Sequence, residues 1–193
     1  MGVLVNAYRW LSQFNSFMLA IGRQLAWLFL ASMTVIILAQ VVYRYGFNAA
    51  LPWPEEAARA LMIWMTALAA PTAYRYGSFV SLDMLQDFLS PTLRFILSLA
   101  LLIIAGLVLI KLSDLALDFF QRGFRASTAT IHLPWDPSEK LKRAWIYLAM
   151  PVCFISMLVV NVELLMREIG QYFGKPEDFP EPAKPRALTE QGV

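Results

Sequence analysis

Long apolar runs separated by short polar connections cover most of this chain, and this pattern predicts membrane helices. The first run, residues 24–43, has no charge inside it. At 1.5 Å per residue, its roughly 20 residues match the ~30 Å hydrocarbon core of a bilayer. Further helices are predicted at about 55–74, 92–112 and 143–162. The predicted fold class is an all-α membrane protein with four transmembrane helices.

The segments outside these runs divide the chain into three predicted regions. In residues 1–22, apolar side chains at near-helical spacing alternate with polar ones, which predicts an N-terminal interfacial amphipathic helix. A simple extension of the first helix is the alternative. Residues 23–168 form the predicted four-helix membrane domain, with short surface helices in its loops. Residues 169–193 carry prolines among charges and are predicted to be a disordered tail.

Composition excludes several classes of function. The chain has 193 residues, of which 59% are hydrophobic and 16% charged, against roughly 45–50% and about 25% in soluble domains. A net charge of +2 is too balanced for nucleic-acid binding. With one cysteine, Cys153, and one histidine, His132, a haem held by two histidines is excluded and a metal centre is disfavoured. The sequence also lacks a phosphate-binding loop, a nucleophile elbow and a zinc spacing, so the chain is predicted to have no catalytic site or cofactor and to be no enzyme. A redox membrane enzyme is therefore disfavoured.

The charged residues around the predicted corner between helices one and two form the strongest candidate site. Glu55 and Arg59 are four residues apart and Glu56 and Arg59 three, so both pairs can meet on a helix. Arg44 and Trp53 precede them at the membrane boundary, where charges are costly unless paired. The cluster either caps and anchors the helix, docks another subunit, or couples protons or substrate.

Small residues on helix two, among them Thr66, Ala70 and Ala73, would allow close contact with another helix. No predicted span carries a charge near its centre, where an ion-coupled transporter usually has ionisable groups. A membrane subunit that serves another polypeptide is therefore favoured over a self-sufficient transporter. Lysines and arginines divide eight against eight between the two sides of four spans, so charge does not orient the chain.

Four short segments carry a family resemblance. Residues 40–48 read QVVYRYGFN, 51–56 read LPWPEE, 75–77 read RYG and 147–152 read YLAMPV. In order and spacing, over roughly residues 25–165, these resemble the small membrane subunit, or DctQ-like small permease, of tripartite ATP-independent periplasmic (TRAP) transporters.

The resemblance implies a non-catalytic scaffold in a sodium-coupled, binding-protein-dependent secondary transporter that imports small organic acids. The implied partners are a large elevator-type permease subunit, a periplasmic substrate-binding protein and membrane lipids. The implied location is the bacterial inner membrane, with both termini cytoplasmic. The corner residues Arg44, Trp53, Glu55, Glu56 and Arg59 would then lie on the periplasmic side, and alanine at Glu56 or Arg59 should weaken subunit association. A standalone small four-helix membrane transporter is the alternative.

Overall fold

The structure of the chain is a computed structural model that describes residues 2–49, 51–77, 90–133, 136–174 and 178–180. Long helices dominate it, and within the described residues three are long and apolar enough to cross a membrane: Leu4–Gly46, Pro91–Gly123 and Ala144–Phe173. The prediction of a helical membrane protein is therefore confirmed. The elements in chain order are α1 (Gly2–Gly46), α2 (Pro54–Gly77), α3 (Pro91–Gly123), β1 (Ser127–Leu133), β2 (Asp136–Lys142), α4 (Ala144–Tyr147) and α5 (Ala149–Phe173).

The N-terminal segment is continuous with the first membrane helix. α1 runs for 45 residues with no break near residue 22. The structure therefore agrees with the alternative prediction, in which the N-terminal segment is an extension of the first helix. Two polar side chains of this segment, Ser12 and Asn15, bond to α2 and α5. Several of its large apolar side chains, such as Trp10 and Phe17, are exposed, although Leu19 is buried. A helix lying on a membrane surface would turn its polar side to water.

α2 begins where the sequence predicts. Pro54 opens the helix and Glu55 and Glu56 occupy its first turn, where carboxylates favour the positive end of the helix dipole. The helix packs antiparallel to α1, and a Cβ at Gly22 would lie 3.3 Å from the Leu68 carbonyl oxygen. The two backbones approach closely here because glycine has no side chain, as is common between membrane helices.

α3 and α5 pack antiparallel along their length. Phe95 stacks on Tyr172 at one end with ring centroids 4.0 Å apart, and Phe119 meets Tyr147 near the other. The buried side of α3 is rich in small residues, which lets the helices approach closely: Ser98, Gly106, Ser113 and Ala116. The apolar core of the bundle consists of Leu19, Leu102, Val160 and Leu164.

A two-stranded antiparallel hairpin follows α3, and the all-helical prediction missed it. β1 pairs with β2 in a register that sets Ser127 opposite Lys142 and Leu133 opposite Asp136. β1 reads STATIHL, and its threonines and isoleucine favour extended backbone because their branched side chains fit a pleated surface. The surface helix predicted around residues 79–89 lies outside the described residues.

The chain returns onto the bundle after α5. The helix ends at Phe173, five residues beyond the predicted domain boundary, and Phe179 is then buried with only 1% of its surface exposed. Phe179 packs on Tyr8 with ring centroids 5.2 Å apart, and the Tyr8 hydroxyl donates to the Pro180 carbonyl at 2.6 Å. Part of the predicted disordered tail therefore packs on the start of α1, while residues 181–193 lie outside the described residues.

Candidate subunit interface and buried polar cluster

The predicted corner cluster is only partly assembled. Arg59 donates to Glu55 one helical turn away, and both side chains are 69% exposed. Arg44 lies elsewhere, with its guanidinium carbon 5.9 Å from the centroid of the Tyr45 ring. Trp53 is also exposed, at 42%. The exposed Glu55–Arg59 pair contributes little to stability, because water screens it.

Glu56 has a different role from its neighbours, because it anchors the hairpin. Its two carboxylate oxygens accept hydrogen bonds from the backbone amides of Ala129 and Thr130, at 3.0 and 2.8 Å. The Thr130 hydroxyl also donates to it, at 2.7 Å. Desolvation by burial raises the pKa of Glu56, but these hydrogen bonds outweigh it and hold the pKa below its ordinary value. The carboxylate therefore fastens β1 to the first turn of α2.

The small residues singled out on α2 do not all face the same neighbour. Thr66 and Ala73 are exposed, and Ala70 is half-buried. The Thr66 hydroxyl bonds back to the Met62 carbonyl of its own helix at 2.9 Å. Ala67, rather than any of these three, is the buried alanine of α2. Thr66 and Ala73 are thus left on the surface of the bundle.

A buried ion pair at the other end of α2 is the main feature that the sequence analysis missed. The Arg75 guanidinium donates to the Glu163 carboxylate, and the two side chains are 0% and 2% exposed. Asn15 donates to the second carboxylate oxygen of Glu163 at 2.7 Å. The charges from α2 and α5 therefore neutralise each other inside the bundle, and an amide from α1 adds a hydrogen bond to the carboxylate.

Further hydrogen bonds extend this cluster. Arg75 donates to the Ser16 hydroxyl at 2.9 Å and to the Ser12 hydroxyl and carbonyl, each at 3.1 Å. Two residues before Glu163, Asn161 donates to the Tyr74 hydroxyl at 2.7 Å and to the Leu102 carbonyl of α3 at 3.3 Å. The two groups of bonds fix the relative positions of all four long helices. These non-covalent bonds connect the helices to one another and do not form a site that is open to substrate.

The sequence offered only a weak signal for this cluster. Arg75 lies at the predicted end of helix two, and Glu163 is one residue past the predicted end of helix four. Both could therefore be assigned to the water side of the membrane. What pairs them is tertiary contact over 88 residues of chain, which helical spacing cannot reveal.

Comparison with known proteins decides the family. The family described as tripartite ATP-independent periplasmic transporters, DctQ component, matches residues 33–171. The chain belongs to the DctQ family. This match confirms the resemblance and includes the corner residues, Arg75 and Glu163, although it begins after Asn15.

A relative of this DctQ chain in Haemophilus influenzae is named as a TRAP transporter small permease protein. It is 36% identical over 84 residues, which are 42% of this chain and 52% of the relative. The DctQ chain therefore spans about half the length of the curated relative that it matches. Both comparisons identify a component of a transporter in the membrane.

Replacing Glu56 by alanine should release the hairpin from α2. The substitution removes the acceptor of three hydrogen bonds, and hydrogen bonds to charged groups contribute roughly 1.5–3 kcal/mol each. Trypsin should then cleave the variant faster than the unaltered chain after Arg125, Lys140 or Lys142. Mass spectrometry of the fragments from the purified chain measures this directly.

Glu55→Ala is the matched control. The Glu55 carboxylate is next to Glu56 in sequence but binds only the exposed Arg59 among the described residues. Equal cleavage of the Glu56 and Glu55 variants would contradict the anchoring role. The stabilisation by Glu56 should be complete above its ordinary pKa of 4.5. Because its folded pKa is lower, that stabilisation is lost as the pH falls through the folded value.

Proposed function

We propose that the chain is the non-catalytic scaffold subunit of a sodium-coupled, binding-protein-dependent TRAP transporter that imports small organic acids. In this proposal it packs against the large elevator-type permease subunit. The observation that supports the proposal is that the bundle has paired charges inside and apolar side chains outside. Its charges pair with one another inside, at Arg75 and Glu163, while apolar faces of α1 and α3 remain exposed. Such a chain has a fixed interior and an outer surface suited to lipid and protein.

The proposal includes four membrane crossings. Tyr8 near the start of α1 bonds to Pro180 beyond α5, so these two residues lie at the same end of the bundle. An even number of long helices must therefore run from end to end. α2 supplies the fourth crossing beside the three most apolar helices. In the bacterial inner membrane with cytoplasmic termini, the hairpin and the corner residues would then face the periplasm.

The corner is the proposed place for contacts with the other subunits. Arg44, Trp53, Glu55 and Arg59 are all exposed there, and the substrate-binding protein would approach from that side. Glu56 is already engaged by the hairpin. Its part in subunit association would consist of holding the hairpin in place.

A groove among the described residues does not suit a carboxylate substrate, which counts against a standalone transporter. This groove of about 360 Å³ lies between α1, α2 and α5 and is lined mostly by apolar side chains. Among the lining residues, Asn15 and Ser156 carry polar side-chain groups. The Asn15 amide already donates to Glu163, and the Ser156 hydroxyl to the Val152 carbonyl. A lipid chain fits such a groove better than a charged metabolite does.

Purification of the tagged chain from its native membranes in mild detergent tests this function. We expect a large multi-span permease to co-purify in equal amount, and an unrelated membrane protein with the same tag serves as the control. Recovery of the chain alone or as a homodimer, still helical, would refute the scaffold. Proteoliposomes that contain the permease and the binding protein should take up an organic acid, in a sodium gradient, only when this chain is included.

A further inference from the structure

A continuous line of exposed side chains follows the outside of α1. Its positions alternate in spacing between four and three residues, and every one of them is exposed. Trp10 at one end is 69% exposed and Tyr45 at the other is 79% exposed. We name this line the outer stripe, and it consists of Trp10, Phe14, Phe17, Ile21, Gln24, Leu28, Ala31, Val35, Leu38, Val42 and Tyr45.

The N-terminal part of α1 distinguishes the outer stripe from the neighbouring lines of side chains. In residues 27–42 almost every direction around the helix is apolar, so no single line stands out. In residues 10–23 the next line holds Gln13, Ser16 and Arg23, whereas the outer stripe holds large apolar side chains. Alternation of four and three is the spacing by which a helix keeps one seam against a partner helix. Exposure to lipid alone requires no such alignment.

The length of the outer stripe exceeds the hydrocarbon core of a bilayer. From Trp10 to Tyr45 it extends about 50 Å at 1.5 Å per residue, and the hydrocarbon core is about 30 Å thick. To fit inside that core, α1 would have to tilt by about 55°, beyond the 0–40° found for membrane helices. At ordinary tilts the ends of the outer stripe therefore lie beyond the hydrocarbon core, where a protein partner can cover them.

Gln24 provides a second sign of a protein partner. Its amide is exposed at the start of the uncharged run, where the hydrocarbon begins and offers no hydrogen-bond partners. A facing helix can bond to it and so fix the alignment of the two helices, as single polar residues do in coiled coils. One turn beyond Leu28, Ala31 is small enough for a close approach.

We propose that the outer stripe is the seam along which a long helix of the large permease subunit packs, with side chains interlocked at a crossing angle of about 20°. This inference rests on the proposed function and identifies the surface that carries out that function. A strip about 50 Å long and about 10 Å wide on each partner buries on the order of 1,000 Å² in total, the minimum for a specific interface. The family itself is defined as one component of a tripartite transporter, which favours a different polypeptide over a second copy.

Two matched alanines allow a direct test. Ala31 lies in the outer stripe, and Ala100 is an equally exposed alanine on the apolar α3. Ala31→Trp should reduce the co-purified permease about tenfold, because a bulky side chain prevents interlocking at a close seam. Ala100→Trp should leave the yield unchanged. Both variants, purified without the permease, should keep the helical circular dichroism of the unaltered chain.

The remaining outcomes separate this inference from the function on which it rests. If both variants retain the permease, if both lose it, or if Ala100→Trp alone loses it, the outer stripe is not the seam. If the unaltered chain brings down no permease, the proposed function fails as well. A Leu38→Cys variant with Cys153 replaced by serine should cross-link to the permease, and a cross-link between two copies of this chain would overturn the inference.

Discussion

Replacing Arg75 by methionine should destabilise the isolated chain by about 3–5 kcal/mol, the usual cost of removing one member of a buried ion pair. The carboxylate of Glu163 would keep the hydrogen bond from Asn15 and would lose the guanidinium that pairs with it inside the bundle. Methionine matches the length of the arginine stem, so packing changes little. Thermal unfolding in detergent, followed by circular dichroism, should show a large drop in midpoint.

Arg59→Met is the matched control, because its ion pair is exposed to solvent and should contribute almost nothing. A second variant isolates the cause. Adding Glu163→Gln to Arg75→Met removes the unpaired charge and keeps an oxygen that accepts from Asn15, so it should recover much of the lost stability. Equal unfolding midpoints for the Arg75 and Arg59 single variants would show that the buried pair does not hold the helices together.

Gly123→Ala should have the next largest effect. At the end of α3, a Cβ on Gly123 would lie 2.7 Å from the Cα atom and 2.8 Å from the nitrogen of Ala144. Both contacts are with backbone, and Ala144 is completely buried, so a side-chain rotation cannot relieve them. We expect a loss of about 1–3 kcal/mol from this overpacking. The displacement of α4 should also carry the hairpin with it and raise its sensitivity to trypsin.

Gly46→Ala is the control for this substitution. The added Cβ would meet its nearest neighbour, Val42 Cγ1, at an ordinary distance of 4.0 Å, and alanine favours helix over glycine in either position. The control should therefore unfold at the same temperature as the unaltered chain or slightly higher. Identical unfolding of the Gly123 and Gly46 variants would mean that α3 and α4 can separate without cost.

The helices were predictable because their signals are local. The uncharged run at 24–43 marks α1, and Pro54 with the two glutamates after it marks the first turn of α2. The hairpin was harder to predict from the sequence, because β1 and β2 are short and lie between long apolar helices. The burial of Phe179 could not be foreseen, because its surroundings in sequence are prolines and charges typical of disorder.

The candidate site was also predictable only where its contacts are local in sequence. The Glu55–Arg59 pair follows from helical spacing and is present. The partner of Glu56 lies 74 residues away at Thr130, and the partner of Arg75 lies 88 residues away at Glu163. Periodicity locates residues on one helix face, but it carries no information about which faces of separate helices meet.

The buried ion pair also has a consequence for biosynthesis. Asn15 and Arg75 leave the ribosome long before Glu163, which follows Arg75 by 88 residues. At translation rates of about 5–20 residues per second, that interval is roughly 4–18 s. During this time α1 and α2 are complete but the arginine has no carboxylate from α5. The bundle can therefore close only after its last helix has been made, and a nascent chain that stops earlier exposes an unpaired charge to quality control.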